Sequence, residues 1–408
     1  MAPLADLPPE LILCTVSFLT RKTIIDLERR LPGNSREPHL VPDLPSINSL
    51  AQINSIFHST LNQTLYKLCA SVETLGKLAL LFAVEHELES TLDKLVAAGI
   101  SLEGEFLFRD EDSWNGCSIL HIAAANGLSH MVCKLSRMYG EVMVAKVHAL
   151  EGLRMTALDH AALAGHIDVV RLLAPVPVPS SGTRAGVPLR YTHDQYLGLA
   201  LIESARAGHL EISQYLVSKG ADVNCFDAQH LHTTPLYYAT LSDNLALVQL
   251  LLDSGADPNL GDYSGRVPLF NATSVAVAKA LLDGGTNIHA KDIHSNDVFA
   301  YRIANIKLLR FLLESGVNPN HRSATGQASL HYACYIDDVE IAKASVELLL
   351  QFGAVVDIVD TRGRTSVDIA MRPGLEEVVR VLEPFVKNPD LKLKVATWLR
   401  ERAGETIN

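Results

Sequence analysis

Two histidine arrangements have the residue types that metal binding or proton transfer requires. His230 and His232 are separated by one residue, and Asp159 directly precedes His160. A zinc site needs three or four protein ligands, and no cysteine or carboxylate has ligand spacing beside the histidine pair. An Asp–His pair can orient a general base, but this one lies in a segment that recurs along the chain. We therefore predict a solvated loop for the first pair and a structural role for the second, with no metal site.

Other kinds of chemistry leave no pattern in the chain. The phosphate-binding Gly-x-x-x-x-Gly-Lys loop, the dinucleotide-binding Gly-x-Gly-x-x-Gly turn and the Gly-x-Ser-x-Gly nucleophile elbow are all missing from the sequence. We therefore expect neither an enzyme nor a bound cofactor. An enzymatic function would require polar residues clustered on one concave face, which a single sequence does not reveal.

Composition and charge limit the classes of partner and the cellular compartments that we expect for this chain. With 48% hydrophobic and 20% charged residues the chain can bury a core, and its formal charge of −11 argues against a nucleic-acid or membrane-surface binder. The six cysteines show neither zinc spacing nor close pairs, which suits a reducing compartment. Acidic residues precede the first apolar run where a signal peptide carries bases. We predict a cytoplasmic or nuclear protein.

The segment around Asp159 is the fullest copy of a repeat. It reads Thr-Ala-Leu-Asp-His-Ala-Ala-Leu-Ala-Gly-His over residues 156–166, and an apolar helical segment follows at 168–173. Self-similarity at intervals of 30 to 43 residues is typical of a stacked-repeat protein, in which neighbouring units share their apolar faces. The copies start near Leu78, Ser118, Thr156, Leu199, Thr234, Val267, Asp297, Ala328 and Thr365.

This pattern resembles the ankyrin-repeat family. Thr234-Pro235-Leu236 matches the family's Thr-Pro-Leu-His opening, in which proline suits the first turn of a helix. His121, His331, His166 and His209 fall on repeat positions, and we expect structural roles for all four. The resemblance implies an all-α solenoid of helix pairs joined by extended turns. In the copies that begin at Val267 and Asp297 we expect shortened helices.

The first seventy residues contain a second motif. Leu-Pro-Pro-Glu-Leu at 7–11 opens an apolar helical face, a Pro-rich bridge at 31–45 is predicted to be a loop, and a second apolar helical segment starts at Ile47. The arrangement resembles the F-box, a helical motif that binds the Skp-type adaptor of cullin ubiquitin ligases, although that family has a compact helix where the bridge lies. The corresponding adaptor-binding residues are Leu7, Pro8, Leu11, Ile12, Leu50, Ile53 and Phe57.

These observations give a domain map and two functional hypotheses. We predict an F-box-like helical domain at 1–70, seven to nine ankyrin repeats at 71–385 with a Pro-rich loop at 174–198, and a capping helix at 386–408. In the first hypothesis the chain is the substrate-recognition subunit of a Skp–cullin–F-box ubiquitin ligase. In the alternative it is an ankyrin scaffold without ligase association, and its first helices only cap the array.

Ankyrin proteins bind partners through their turn tips and the exposed face of each first helix. Aromatic and arginine side chains dominate binding hot spots, so we select those that the register places at such turns. For the turn at 103–115, partner contact and packing on a neighbouring turn are equally open interpretations. The candidate target-binding residues are Phe226, Tyr263, Arg266, Arg322, Arg362, Phe106, Phe108 and Trp114.

Overall fold

We describe the chain from a computed structural model, which covers residues 20–22, 40–42, 66, 73–103, 105–109, 114–140, 155–175, 192–226, 232–372 and 374–403. Its residues group into two compact units, 1–188 and 189–408. Each unit is considered by itself. In the described residues the chain forms nine consecutive helix pairs.

A short antiparallel ribbon lies in the first seventy residues. Strand β1 (Thr20–Lys22) pairs with β2 (Leu40–Pro42), so that Arg21 stands opposite Val41. The second strand lies inside the bridge that we predicted to be a loop, and that prediction is wrong for residues 40–42. Val41 is β-branched and suits an extended backbone. All seven predicted adaptor-binding residues, from Leu7 to Phe57, lie outside the described residues.

Beyond that ribbon, the described residues of the first unit form three helix pairs and a hairpin. The hairpin joins β3 to β4 at the place where a turn at 103–115 was expected, because the Phe-Leu-Phe run at 106–108 favours extended structure. The elements of this unit are α1 (Glu73–Glu85), α2 (Glu89–Ala97), β3 (Glu105–Arg109), β4 (Trp114–Ser118), α3 (Ile119–Ala125), α4 (Ser129–Tyr139), α5 (Ala157–Ala164) and α6 (Ile167–Leu173).

Helix α5 shows how one repeat is built. Thr156 caps its start, because its hydroxyl accepts a hydrogen bond from the Asp159 N–H (3.2 Å), while the Asp159 carboxylate accepts one from the Thr156 N–H (2.7 Å). Leu158 and Ala161 are buried against neighbouring helices. Gly165 then ends the helix in the left-handed region at φ 87°. These local signals explain why the repeat could be recognised from sequence.

The part of the second unit that the structure describes has six helix pairs, one of which begins with a 3₁₀ turn, and a final helix. Its elements are α7 (His193–Ala207), α8 (Leu210–Ser218), α9 (Pro235–Leu241), α10 (Leu245–Asp253), a 3₁₀ turn (Pro268–Asn271), α11 (Val275–Asp283), α12 (Phe299–Arg302), α13 (Ile306–Glu314), α14 (Ser329–Ala333), α15 (Val339–Gln351), α16 (Ser366–Ala370), α17 (Glu376–Leu382), a 3₁₀ turn (Glu383–Phe385) and α18 (Pro389–Ala403).

The predicted loop at 174–198 is too long at its carboxyl end. Helix α7 begins at His193, because the Gln195 side chain accepts a hydrogen bond from the Thr192 N–H (3.0 Å) and so caps the first turn. Gly198 lies buried inside this helix, where an added Cβ would come within 2.6 Å of the Cys225 Cβ. The glycine therefore serves close packing.

The two repeats that were expected to be short are short. The first helix of each is reduced to four residues, as the 3₁₀ turn Pro268–Asn271 and as α12. Leu269 and Phe299 still bury their side chains, so both repeats keep the shared core. The shortening removes helical turns and leaves the apolar contacts between repeats in place.

Helix α18 packs against the last repeat. Leu391 and Val395 are buried, whereas Trp398 and Leu399, which we expected to bury alongside them, are half-buried. Lys394 reaches the Asp368 carboxylate at 2.5 Å. An open groove of about 1020 Å³ separates this helix from the final turn at 358–364.

Candidate protein-interaction surface

The histidines on repeat positions hold the backbone. The Ser118 hydroxyl and His121 Nδ1 are hydrogen-bonded at 2.8 Å, and the Ala328 N–H donates to His331 Nδ1 at 3.1 Å. His166 Nε2 lies 3.0 Å from the Ala125 carbonyl oxygen, which links two repeats. His209 directly precedes α8 and is half-buried. His121, His331 and His166 therefore use ring nitrogens for hydrogen bonds that stabilise the repeats.

Asp159 and His160 both take part in contacts that stabilise the repeat. The Asp159 carboxylate accepts hydrogen bonds from both the N–H and the hydroxyl of Thr156. His160 faces the His121 ring edge-on at 5.6 Å, and burial lowers its pKa below the usual value. The two side chains therefore serve the helix cap and the packing between repeats.

Only one residue of the His230/His232 pair is described by the structure. His230 lies outside the described residues, and the His232 ring stacks on Phe226 with the ring centroids 3.7 Å apart. No group of three or more His, Cys, Asp or Glu side chains within the described ranges could hold a metal ion. None of the helices in the same ranges has the length and apolar character needed to cross a bilayer.

Four turns of the second unit share one hydrogen-bonding pattern. We call them fingers, and they comprise residues 260–266, 290–296, 321–327 and 358–364. In the first finger the buried Asp262 carboxylate accepts hydrogen bonds from the N–H groups of Ser264 (2.8 Å) and Arg266 (3.0 Å). Asp292 and Asp360 repeat this arrangement in their own fingers. In the finger at 321–327 the buried Ser323 hydroxyl has this position and accepts a hydrogen bond from the Gln327 N–H (3.3 Å). A buried polar side chain thus fixes the shape of each loop.

Backbone hydrogen bonds join the fingers side by side. The Ile293 N–H donates to the Ser264 carbonyl (2.9 Å), the Ala324 N–H to the His294 carbonyl (2.8 Å), and the Thr361 N–H to the Thr325 carbonyl (2.9 Å). The four fingers therefore form one continuous edge, which we call the finger row. Its exposed side chains are held in a fixed order.

Large apolar side chains are exposed along this edge and beside it. Tyr263 is 61% exposed and Ile293 65%, and Phe226, in the turn before the first finger, is 46% exposed. His232 lies between the rings of Phe226 and Tyr263, with its centroid 4.9 Å from that of Tyr263. Phe226 and Tyr263 were selected from sequence. Ile293 was not, although it has the same position in its finger as Tyr263.

The three predicted arginines differ in what their side chains do. Arg266 is committed to the fold, because its Nε donates to the buried Asp262 carboxylate at 2.8 Å. Arg322 links two fingers through its Nη2, which donates to the Val359 carbonyl at 2.7 Å. Arg362 is exposed, and its guanidinium makes no hydrogen bond or ion pair with the described residues. Arg362 is therefore the best placed of the three to meet a partner.

Two tyrosines on or beside the first helices were missed by sequence reasoning. Tyr335 follows α14, and its hydroxyl accepts hydrogen bonds from Arg364 Nη2 (3.1 Å) and Gln327 Nε2 (3.0 Å). The Tyr301 hydroxyl donates to the Asp292 carboxylate at 2.5 Å. Burial and this bond raise the pKa of Tyr301 to about 12. Both rings are partly exposed beside the finger row, so they extend the surface available to a partner.

The aromatic residues of the first unit remain predictions. In the hairpin, Phe106 pairs with Cys117, Phe108 with Asn115, and Arg109 with Trp114. The backbone there is extended and paired, so these residues lie on a ribbon rather than in an open turn.

Comparison with known proteins supports the repeat assignment. A family model described as ankyrin repeats matches three times, over residues 120–227, 201–292 and 298–392. The human mitochondrial disaggregase is 32% identical over 195 residues, which are 45% of this chain and 26% of that protein. A putative palmitoyltransferase ZDHHC13 from Danio rerio is 29% identical over 193 residues, 46% of this chain and 29% of its own length.

The matched part spans between a quarter and a third of these two relatives. A solved ankyrin repeat domain from Acinetobacter baumannii has 22% sequence identity and a TM-score of 0.41, and it covers 45% of this chain and 95% of its own.

Proposed function

Because the chain belongs to the ankyrin-repeat family, we propose that it is a non-catalytic binding protein whose finger row holds a partner protein. Ankyrin repeats serve protein–protein interaction, and the geometry of the second unit suits that role. The finger backbone is fixed by a buried aspartate in three fingers, by the buried Ser323 hydroxyl in the other, and by hydrogen bonds between fingers. A surface that is already ordered loses little conformational entropy when it binds.

The observation that carries this proposal is the exposure of Tyr263 and Ile293 at the same position of adjacent, hydrogen-bonded fingers. Water contact with large apolar side chains is unfavourable, and their burial by a partner contributes about 25 cal/mol per Å². Scattered exposed apolar residues are ordinary. Tyr263 lies beside His232, whose ring stacks on Phe226, and Ile293 has the matching position in the next, hydrogen-bonded finger, so the four side chains follow one edge.

The names of the relatives do not transfer an enzymatic activity to this chain. Proteins named as a disaggregase and as palmitoyltransferases share with it at most about a third of their own length, and the shared part is the ankyrin region. One type of repeat array therefore accompanies different activities. We infer that in this chain the array contributes binding.

Affinity capture with the full chain tests the proposal. The double variant Tyr263→Ala, Ile293→Ala is compared with Phe385→Ala, Leu393→Ala, which removes two exposed apolar side chains outside the finger row. Quantitative mass spectrometry of proteins bound to each should show specific partners lost from the finger variant and kept by the control. Equal recovery by both variants would place partner binding elsewhere and overturn the proposal.

A second candidate function rests on the Leu-Pro-Pro-Glu-Leu motif at 7–11. We propose it as the narrower alternative, in which the amino-terminal segment docks a Skp-type adaptor and the array presents a target to a cullin ligase. In that case the chain contributes proximity between target and ubiquitin carrier. Comparison with known families identifies the ankyrin repeats alone, so binding without ligase association is the preferred function.

The two functions differ in one pull-down. Adaptor and cullin recovered by the wild-type chain, and not by Leu7→Ala, Pro8→Ala, would support the ligase role. Adaptor missing from both samples, together with partners that depend on Tyr263 and Ile293, would leave the binding function and remove the ligase one.

A further inference from the structure

The finger row has a charge opposite to that of the chain. The full sequence has a formal charge of −11, yet all three acidic residues of the four fingers, Asp262, Asp292 and Asp360, are buried. Each carboxylate is hydrogen-bonded within its own finger. None of these acids presents its charge to a partner.

The exposed charges of the same fingers are basic. Lys291, Arg322 and Arg362 are exposed. Arg322 donates to carbonyl groups, so its positive charge has no counter-ion in the finger row. Arg266 and Arg364 are ion-paired with the buried aspartates of their own fingers and add little net charge.

The exposed acids of this unit lie elsewhere. Asp253, Asp283 and Glu314 stand at the ends of α10, α11 and α13. Asp257 is exposed below the first finger, where its carboxylate accepts a hydrogen bond from the Asn259 N–H (2.9 Å). These exposed acids therefore lie off the finger row, on second helices that also carry exposed bases such as Lys279 and Lys307, and at the base of the first finger.

Apolar side chains alternate with the bases of the finger row. Ile293 is two residues from Lys291 in one finger, and Tyr263 has the matching position in the finger before it. Val359 is exposed in the last finger, three residues from Arg362. A ligand that binds along this edge would therefore contact basic and apolar side chains alternately.

From this pattern we propose that the finger row binds an acidic protein segment that carries apolar or aromatic side chains. The inference rests on the proposed binding function and specifies the chemistry of the partner. Carboxylates of the segment would pair with Lys291, Arg322 and Arg362, while its apolar side chains would cover Tyr263 and Ile293. Complementary charge raises the association rate and selects the partner, and apolar burial provides affinity.

A nucleic acid fits the same edge less well. Proteins that bind DNA strongly through phosphates make about 6–10 such contacts, whereas the described finger row presents three bases without a counter-ion. Ile293 and Val359 cannot donate hydrogen bonds to phosphate. The acidic remainder of the chain would also repel a polyanion that extended beyond the row.

In the experiment, peptides that bind the full-length chain are selected from a display library of random 12-residue peptides. Lys291→Glu, Arg362→Glu reverses two exposed charges whose side chains make no hydrogen bond or ion pair with the described residues. Lys279→Glu, Lys307→Glu makes the same change on the exposed faces of α11 and α13 and is the control. A single-stranded 20-nucleotide DNA, fluorescently labelled, is titrated in parallel at 0.15 M salt.

We expect enriched peptides to be acidic with interspersed apolar residues, to bind the control like wild type, and to bind the finger variant at least tenfold more weakly. Enriched peptides without acidic bias, or with equal affinity for the finger variant, would overturn this inference and leave the binding function intact. DNA binding that is stronger than peptide binding and is lost in the finger variant would replace it with a nucleic-acid site. A wild-type chain that enriches no peptide, and captures no partner through Tyr263 and Ile293, would contradict the proposed function itself.

Discussion

The side chain of Asn259 joins its own repeat to the next one at Gly285. Its Nδ2 donates to the Gly285 carbonyl at 3.1 Å, and its Oδ1 accepts from the Asn287 N–H at 2.7 Å. Asn224 and Asn320 make the same pair of bonds to their following repeats. These side chains form an amide ladder along the second unit, and the ladder determines how firmly adjacent turns are held.

The ladder is interrupted at His289, which has the position of Asn259 one repeat later. Its imidazole makes no hydrogen bond to the next repeat within the described residues. His289→Asn should restore bonds to the Gly316 carbonyl and the Asn318 N–H. Each is expected to contribute about 0.5–1.5 kcal/mol, so thermal unfolding monitored by circular dichroism should shift upward by a few degrees.

Asn259→Ala serves as the control for this ladder and should lower the unfolding temperature by a similar amount. If His289→Asn leaves the transition unchanged while Asn259→Ala lowers it, the repeat after His289 is not positioned to complete the ladder.

Asp360 should make the second unit sensitive to acid. Burial acts to raise the pKa of its carboxyl, but hydrogen bonds from Arg364 and Arg362 outweigh burial and lower it below the usual value. When folding lowers the pKa of a carboxyl, the group stabilises the fold at pH values above its unfolded-state pKa, which is near 4. That stability is lost as the pH falls through the folded pKa. Asp360→Asn should therefore unfold at a lower temperature than wild type at pH 7, and the difference should shrink toward pH 3.

Asp297 should behave in the opposite way. Its carboxylate accepts a hydrogen bond from the Phe299 N–H (3.0 Å) at the start of α12, and burial raises the pKa of its carboxyl despite the nearby His321. Because folding raises the pKa of this carboxyl, its ionised form lowers the stability of the fold at pH values above the unfolded-state pKa. Asp297→Asn keeps an accepting oxygen without the charge and should be more stable than wild type at pH 7, with the gain disappearing below pH 4. A loss of stability at pH 7 would contradict this assignment.

We expect substitution of Arg266 to affect folding stability, whereas Tyr263 serves partner recognition and its substitution should leave stability nearly unchanged. Arg266→Ala leaves the buried Asp262 carboxylate without its cation and should cost about 1–3 kcal/mol of unfolding free energy. Tyr263→Ala removes an exposed ring and should change the unfolding free energy by less than about 0.5 kcal/mol. Urea unfolding measures both. A large loss of stability in Tyr263→Ala would mean that this ring serves the fold rather than a partner.

Helix α18 should stabilise the last repeat through one face. Val395 is fully buried and Leu393 is 71% exposed, two residues away on the same helix. Val395→Ala is expected to cost about 1–2 kcal/mol, because it deletes buried methyl groups and leaves a cavity, whereas Leu393→Ala should be close to neutral. Equal effects in urea unfolding would show that this helix does not pack as described.

The sequence predicted the features of the fold that depend on local chemistry. The repeat at residues 156–166 and the short helices at Pro268 and Phe299 follow from residue types at fixed spacing. The hairpin at 105–118 and the start of α7 at His193 were missed. In the first case strand pairing replaced the expected turn. In the second a side-chain cap at Gln195 extended the helix into a predicted loop.

The candidate surface was predicted in part. The register alone placed Phe226, Tyr263 and Arg362 on exposed turns, and they are exposed there. It could not show that Arg266 pairs with a buried aspartate, because that pairing depends on the folded finger. Tyr335 was not predicted because its role depends on a hydrogen bond with Arg364, which lies 29 residues away in the last finger.

Site-specific photo-crosslinking tests the central claim most directly. A benzoylphenylalanine is placed at Tyr263 or Ile293 in the full chain, and at Phe385 or Leu393 as controls with comparable exposure. Irradiation in cells should give the same covalently captured partner from both finger positions and none from the controls. Capture from the control positions alone, with the finger positions free of adducts, would contradict the assignment of the finger row as the binding surface.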